Sequence, residues 1–248
     1  MSIAQGFNNK IISTEIIKFM EKCYQKSDSF KEDPFLVAVN LDSSKDKPFQ
    51  YFVKRFIEVN GTLLGLVIIF PLLVVIAIAI KLNSKGPVFF KQKRVGQHGK
   101  EFYMYKFRSM HVNAEEKIDK LKKYNQTNEL MFKMFDDPRI TKVGKFLRKH
   151  SLDELPQLFN VLKGEMSLIG FRPPLLSEVA KYKSWHYVRF AMMPGLTGPW
   201  QVSGRSKIQK FDEVINMEYE YAKNWSLGKD IKILFKTVPV VIQGKNAA

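Results

Sequence analysis

The chain has 248 residues, which is enough for one well-packed domain and a small additional module. Its formal net charge of +16 predicts a polyanionic partner, which can be nucleic acid, an acidic membrane surface or a phosphorylated substrate. The single cysteine, Cys23, excludes an internal disulfide framework and a multi-cysteine zinc site. The 4 histidines lack the spacing of a metal-binding helix motif, so we interpret them as surface or core residues.

The N-terminal region, residues 1–50, carries no motif that indicates a function. It lacks a basic segment followed by an apolar one, so the sequence does not predict a signal peptide. We therefore treat residues 1–50 as an N-terminal extension of unknown role.

Val59–Ile80 is an uncharged, strongly apolar run, long enough for a membrane helix of about 20 residues. Basic residues flank it on both sides, with Arg55 before it and Lys81 after it, and the positive-inside rule then favours the cytoplasm for both ends. Pro71 lies near the middle, where it removes a backbone hydrogen bond and kinks the helix. We therefore prefer a re-entrant helix, which bends at Pro71 and returns to the same face, to a full span.

Two strand-like segments, Val88–Phe90 and Phe102–Tyr105, flank a glycine-bearing turn. Lys106 and Arg108 follow at alternate positions, so on a strand their side chains would share one face. Basic groups on one face, among aromatic residues, can hold a diphosphate or a nucleic-acid backbone. A solvated cationic edge strand is the structural alternative.

Two adjacent carboxylates, Asp153 and Glu154, lie at an apparent helix start. Basic residues crowd them, with Arg148 before the pair and Lys163 and Arg172 after it. Two carboxylates within reach of several cations are typical of a metal-assisted site that handles phosphate.

A structural interpretation of the same pair is helix capping. Ser151 and Glu154 fit a capping box, whereas Pro156 is better accommodated if Asp153 is the N-cap. In either arrangement the positive end of the helix would lower the pKa of both carboxylates.

Two later segments have the composition of helices that suit a membrane interface. Leu175–Phe190 is rich in lysine, tyrosine and tryptophan, and Asp230–Val241 is apolar with interleaved lysines. We predict that both are helices. Leu175–Phe190 suits a membrane interface, with a plain surface helix as the alternative, and Asp230–Val241 can lie on the bilayer surface.

The chain resembles the bacterial sugar transferases, which are monotopic phosphoglycosyl transferases acting on polyprenyl phosphate. The resemblance covers residues 52–245 in family order. Besides Lys54-Arg55 before the apolar run and its central Pro71, the matching segments are Gly86–Gly96, Tyr105–Met110, Asp137–Thr141, Leu147–Gln157, Gly164–Gly170, Pro194–Gly198 and Trp200–Arg205. The chain departs from the family at Phe171, where proline is usual.

The resemblance implies transfer of a hexose 1-phosphate from a UDP-sugar to undecaprenyl phosphate, giving undecaprenyl-diphosphate-sugar and UMP. This is the first membrane step of exopolysaccharide, capsule or O-antigen synthesis. The form of Trp200–Arg205 is similar to that of members using UDP-galactose or UDP-glucose. The same reaction with an N-acetylhexosamine donor is the alternative.

The resemblance also assigns roles to individual residues. Asp153 corresponds to the nucleophile, which forms a covalent phosphosugar-aspartyl intermediate, and Glu154 together with Asp153 is expected to hold Mg²⁺. The positions implied to bind substrate phosphate are Lys106, Arg108, Arg148, Arg172 and Arg205.

The expected fold is a helix-rich α/β (α+β) cytosolic catalytic domain, residues 86–248, on a single Pro-kinked re-entrant membrane helix, residues 51–85, with interfacial amphipathic helices. The expected location is the bacterial cytoplasmic membrane, with the catalytic domain and both termini on the cytoplasmic face. The implied partners are a UDP-sugar, undecaprenyl phosphate and inner-membrane lipids, with a homodimer left open and no nucleic acid.

The main alternative is a basic, membrane-tethered binding protein without catalytic activity. The net charge and the aromatic–basic strands suit it. The Asp153–Glu154 pair speaks against it, because a polyanion binder would gain affinity by replacing those carboxylates.

Overall fold

The computed structural model describes residues 46–114, 116, 134, 137–204, 208 and 210–243. Most of the N-terminal extension, residues 1–45, and the predicted phosphate ligand Arg205 lie outside the described residues.

The longest element is helix α1 (Pro48–Asn83), which has 36 residues and contains Pro71. Pro48 stands in the first turn, where its missing N–H removes no intrahelical hydrogen bond. Within the described residues α1 is the one helix long and apolar enough to cross a membrane. Its large apolar side chains are mostly exposed, from Phe49 at one end to Leu82 at the other.

Both ends of α1 contact the rest of the chain. Near the N-terminal end, Lys54 donates a hydrogen bond to the carbonyl of Ile169 at 3.2 Å. The C-terminal part belongs to a buried apolar cluster of Ile76, Ile80, Phe107 and Leu147. The same domain therefore contacts α1 near both of its ends. In an ideal straight helix of this length, the two ends are about 54 Å apart.

The first sheet is an antiparallel hairpin of β1 (Phe89–Val95) and β2 (Glu101–Phe107). Its turn contains Gly99 in the left-handed region, with φ at 74°, which favours glycine. The prediction of two strands around a glycine-bearing turn is therefore confirmed.

Helices α2 (Lys142–Lys149) and α3 (Gln157–Lys163) follow. They lead to a second sheet, in which β3 (Ser167–Ile169) pairs in parallel with β4 (Gly195–Thr197). At the edge of this sheet the two backbone segments approach so closely that a Cβ on Gly195 would lie 2.0 Å from the backbone nitrogen of Gly170. Glycine is thus required there.

The predicted helix over Leu175–Phe190 is wrong. The segment forms a short helix, α4 (Leu176–Val179), and a separate 3-10 turn, Ser184–Phe190. At the start of this turn, His186 Nδ1 accepts a hydrogen bond from the Lys183 N–H at 3.2 Å. The tyrosines and Phe190 are buried in the core, so this segment does not present an amphipathic face to a membrane.

The chain continues through α5 (Pro199–Val202), α6 (Phe211–Lys223) and α7 (Leu227–Gln243). The predicted helix over Asp230–Val241 is confirmed, because it lies within α7. Asp230 and Ile233 face inward, whereas α7 exposes a row of large apolar residues: Ile231, Leu234, Phe235 and Val238. The described part is therefore a mixed helix-and-sheet domain with one long apolar helix.

Candidate active site

The adjacent carboxylates lie on a short turn between two helices. Helix α2 begins with Thr141 as its N-cap, whose hydroxyl accepts a hydrogen bond from the Gly144 N–H at 2.9 Å. After α2, Ser151 adopts the left-handed conformation, with φ at 54°, and Leu152–Glu154 form a single 3-10 turn. The turn brings Asp153 and Glu154 between the end of α2 and the start of α3.

Both predicted capping arrangements are wrong. Helix α3 begins at Gln157 with Pro156 as its N-cap, and neither Ser151 nor Asp153 occupies that position. The left-handed backbone of Ser151 prevents the capping box, and its side chain makes no capping hydrogen bond. Pro156 instead occupies a position where no N–H is needed.

Asp153 is a buried carboxylate, with 7% of its surface exposed. Burial raises the pKa of Asp153, and this effect outweighs the opposing charges of Lys106 and Arg148, while Glu154 adds to the increase. The prediction that a helix end lowers the Asp153 pKa is therefore wrong, because a three-residue turn has little dipole to offset the desolvation of the carboxylate.

Glu154 is paired with a cation from the hairpin. Lys106, near the end of β2, donates to Glu154 Oε1 at 2.9 Å. Both side chains are partly exposed, at 23% for Lys106 and 32% for Glu154, so the pair lies at the surface of the site. Strand β2 therefore places one predicted phosphate ligand against the carboxylate dyad.

Arg148 approaches the dyad from the last turn of α2. Its charge lowers the pKa of Asp153 and also that of Asp137. Asp137 accepts hydrogen bonds from Arg139, at 2.9 Å from the backbone N–H and 2.6 Å from Nη2. Burial raises the pKa of Asp137, but these hydrogen bonds outweigh it and the net pKa is lowered. The Asp137–Arg139 pair thus stabilises the turn before α2.

Arg108, which follows β2, contacts the chain that leaves α1. Its guanidinium donates to the carbonyls of Ser84 and Lys85, both at 2.7 Å, and so satisfies the chain end that follows α1. Gly86 permits this approach, since a Cβ there would lie 1.9 Å from Arg108 Nη1. The phosphate role of Arg108 stays a prediction.

Arg172 belongs to a cluster that the sequence analysis did not identify. Its Nη1 lies 3.3 and 3.2 Å from the two carboxylate oxygens of Glu178. The same carboxylate lies 3.9 Å from Nη1 of Arg94, on β1. Burial and the charge of Arg172 lower the pKa of Arg94 to about 9, while Glu178 and Glu154 oppose that decrease. Arg94 thus connects the Arg172 cluster electrostatically with the dyad.

The hairpin explains why Arg94 faces inward, although the sequence alone shows only the alternation of residues along the strand. Residues alternate sides along a strand, so Arg94 must lie on the face opposite Lys91 and Lys93. Phe102, directly across the hairpin from Arg94, is buried. An arginine opposite a buried aromatic residue faces inward, and a buried arginine requires a carboxylate partner.

The dyad suits a magnesium ion that is shared with a substrate. In the described residues no group of three or more His, Cys, Asp or Glu side chains could hold a metal. Mg²⁺ is commonly bound by one or two carboxylates together with substrate phosphates and water. Asp153 and Glu154, adjacent in one turn, offer this donor set.

The matching family model is described as bacterial sugar transferase and covers residues 49–244. The chain is 48% identical over 194 residues to the galactosyl transferase CpsE of Streptococcus agalactiae serotype III, covering 78% of this chain and 43% of that protein. It is 42% identical to the UDP-glucose:undecaprenyl-phosphate glucose-1-phosphate transferase of Klebsiella pneumoniae, covering 75% and 39%. It is 37% identical to the UDP-N-acetylgalactosamine-undecaprenyl-phosphate N-acetylgalactosaminephosphotransferase of Aeromonas hydrophila, covering 84% and 48%.

The chain spans about half of the length of these curated relatives, or somewhat less. The family match nevertheless extends from the start of α1 to the end of α7 and includes every element around the dyad. The chain belongs to the bacterial sugar transferase family.

Proposed function

We propose that this chain transfers a hexose 1-phosphate from a UDP-sugar to undecaprenyl phosphate and releases UMP. The observation that carries the proposal is the position of the dyad. Leu152 and Leu155, on either side of Asp153 and Glu154, pack against the apolar cluster formed by the C-terminal part of α1. A buried carboxylate among cations is thereby attached directly to the apolar helix, where the phosphate of a membrane lipid can reach it.

In the first step, the Asp153 carboxylate attacks the phosphorus that carries the sugar. A bond forms between the Asp153 oxygen and this phosphorus, and the bond from phosphorus to the bridging oxygen breaks, so UMP leaves with the electron pair. A carboxylate nucleophile divides the phosphoryl transfer into two steps through a covalent intermediate. The buried position of Asp153 supports this role, because it excludes water from the acyl phosphate.

In the second step, a phosphate oxygen of undecaprenyl phosphate attacks the phosphorus of the phosphosugar-aspartyl intermediate. The bond between that phosphorus and Asp153 breaks and restores the carboxylate. The product is undecaprenyl-diphosphate-sugar, which starts an exopolysaccharide, capsule or O-antigen unit. Positioning of the two phosphates supplies most of the catalysis in such transfers.

Lys106 and Arg148 flank the dyad and are placed to neutralise the oxygens of the transferring phosphate. Glu154 and Asp153 would hold Mg²⁺, which when bound supplies positive charge to the diphosphate of the donor.

We further propose that α1 is re-entrant, with a bend at Pro71, and that the domain lies on the cytoplasmic face of the inner membrane. The contacts of one domain with α1 near both of its ends support this, since the ends of a full span lie on opposite faces. The exposed apolar row on α7 supports contact of that helix with the bilayer surface.

The donor sugar is proposed to be galactose or glucose, with an N-acetylhexosamine as the alternative. The test is UMP release by the chain in nanodiscs with undecaprenyl phosphate and Mg²⁺, across UDP-galactose, UDP-glucose and their N-acetylated forms. We expect one unacetylated donor to react at least about tenfold faster than the acetylated forms, which is the discrimination that one pocket contact provides. Faster release with an N-acetylated donor would identify the alternative.

A silent donor panel with folded protein would contradict the enzymatic proposal. If the same preparation bound nucleic acid or acidic lipid with a steep salt dependence, it would favour the binding-protein alternative. The panel is therefore run together with a salt titration of both ligands.

The pH dependence of turnover is a second test of the dyad. Only ionised Asp153 can attack, so kcat/KM should fall as the pH decreases through the raised pKa of Asp153. Because the charge of Lys106 lowers this pKa, Lys106→Met should move the acid limb of the profile towards higher pH. Lys142→Met, which removes an exposed lysine at the far end of α2, should leave the limb in place. An acid limb that is identical in both variants would exclude Asp153 as the titrating group.

A further inference from the structure

Glu178 is a buried carboxylate without a role in the reaction proposed above. It is 6% exposed and accepts a hydrogen bond from the Leu175 N–H at 2.8 Å, which fixes it at the start of α4. Burial raises the pKa of Glu178, but the charges of Arg172 and Arg94 outweigh burial and keep it ionised. One buried anion therefore faces two guanidiniums.

The two arginines differ in what remains available to a ligand. Arg94 is 6% exposed and donates to the Pro173 carbonyl at 3.0 Å and to Gln92 Oε1 at 2.6 Å. Arg172 retains 30% exposure of its side chain. Among the described residues its side chain donates only through Nη1, to Glu178, which leaves Nη2 and Nε available to a ligand.

The backbone around Arg172 is tied to the same elements. The Pro174 carbonyl accepts a hydrogen bond from the Val95 N–H at 3.1 Å, and Arg94 holds Pro173. Strand β1, which carries Arg94, therefore fixes the chain that carries Arg172. The charges of Arg172 and Glu154 both influence the pKa of Arg94, so one guanidinium is coupled electrostatically to this cluster and to the dyad.

We infer that Glu178 is a positioning residue for the donor diphosphate: it orients Arg172 through Nη1, with Arg94 held behind it, so that Nη2 and Nε of Arg172 bind the phosphates of the UDP-sugar. A guanidinium held by a carboxylate on one side presents its remaining donors in a fixed fork, which matches a diphosphate. Arg94 is largely buried, so it adds positive charge near the proposed diphosphate site without donating a hydrogen bond to the ligand. This inference rests on the proposed function.

The test is a comparison of KM for the UDP-sugar in variants of the full chain in nanodiscs. Arg172→Met should raise this KM roughly tenfold to a hundredfold, which is the effect of losing charged hydrogen bonds to phosphate. Glu178→Asp, which shortens the support, should raise it about threefold to tenfold. The KM for undecaprenyl phosphate should change in neither variant.

The decisive measurement is the Arg172→Met Glu178→Gln double variant. It removes one charge of each sign and should fold even if Glu178→Gln alone does not. If Glu178 acts through Arg172, the KM of the double variant will equal that of Arg172→Met within about threefold, because the two effects share one interaction. An additive increase would overturn the inference, and so would a loss of kcat at unchanged KM in Glu178→Asp, which indicates a purely structural role.

UDP binding separates this inference from the proposed function. In a calorimetric titration, UDP should bind most tightly to the unchanged chain and less tightly to Glu178→Asp. It should bind most weakly, and with equal affinity, to Arg172→Met and to the double variant. If the unchanged chain releases no UMP, the proposed reaction fails, and this order still decides the role of Glu178. Equal UDP affinities in all four proteins would overturn it.

Discussion

Replacing Asp153 by asparagine is expected to abolish turnover, with a decrease of kcat of at least about 10⁴-fold, as for other lost nucleophiles. An amide oxygen cannot displace UMP and form the covalent intermediate. The replacement has nearly the same volume, so Leu152 and Leu155 should continue to pack on α1.

The stability of the same variant provides a separate expectation. Because the pKa of Asp153 is raised in the folded chain, its ionised form costs stability above that pKa, and the cost disappears as the pH decreases through it. Asparagine carries no charge at any pH. The Tm of Asp153→Asn at pH 8 should therefore equal or exceed that of the unchanged chain, so a loss of turnover cannot be attributed to unfolding.

A labelling experiment without the lipid acceptor tests the covalent step directly. The unchanged chain, mixed with a donor carrying a labelled sugar phosphate, should release UMP in a burst and retain about one label per chain. Asp153→Asn should show neither the burst nor the label. Glu154→Gln is the matched control, because it neutralises the adjacent carboxylate of the same turn. Label retained in Asp153→Asn but lost in Glu154→Gln would assign the nucleophile to Glu154.

The elements that the sequence predicted correctly are those with a local physical signature. The uncharged run Val59–Ile80 is long enough for a membrane helix, and it lies within one helix. The two strands around Gly99 follow from alternation and a turn residue. The dyad was recognised because two carboxylates stand together among cations, and its assignment as nucleophile depended on the family resemblance.

The features that were missed depend on contacts between distant parts of the chain. Ser151 carries no residue preference for the left-handed backbone that ends the predicted capping box. No local pattern indicates that the Arg108 guanidinium donates to the carbonyls of Ser84 and Lys85, at the end of α1. Arg189 and Glu218 lie 29 residues apart, so no local pattern indicates that they form a buried pair. Such pairs form because the fold buries two opposite charges at the same place, and a buried charge requires a partner.

The Arg189–Glu218 pair provides the largest expected effect on stability. Arg189 Nε lies 2.7 Å from Glu218 Oε2, and the two side chains are 3% and 1% exposed. Arg189→Met leaves the Glu218 carboxylate buried without a counter-charge, which typically costs about 3–5 kcal/mol. In a domain of this size that loss corresponds to a decrease in Tm of roughly 10 °C.

Two control variants distinguish the lost charge pairing from lost packing. The Arg189→Met Glu218→Leu double variant replaces the whole pair by apolar groups and should recover most of the stability. Lys183→Met breaks an exposed pair with Asp212, whose side chains are 64% and 47% exposed, and should cost at most about 1 kcal/mol. A double variant no more stable than Arg189→Met would show that packing, and not the unpaired charge, is responsible.

The loss of folding stability caused by Arg189→Met should also depend on pH. Burial raises the pKa of Glu218 even when Arg189 opposes it, and removal of Arg189 raises that pKa further. A carboxyl group with a raised pKa favours the folded state at low pH, so the loss of stability should be smaller at pH 5 than at pH 8. Arg189 Nη2 also donates to the Arg172 carbonyl at 3.0 Å, so the variant should bind the UDP-sugar more weakly at a temperature where it remains folded. A buried charge pair that touches no substrate would thereby support both the fold and the arginine that we propose holds the donor.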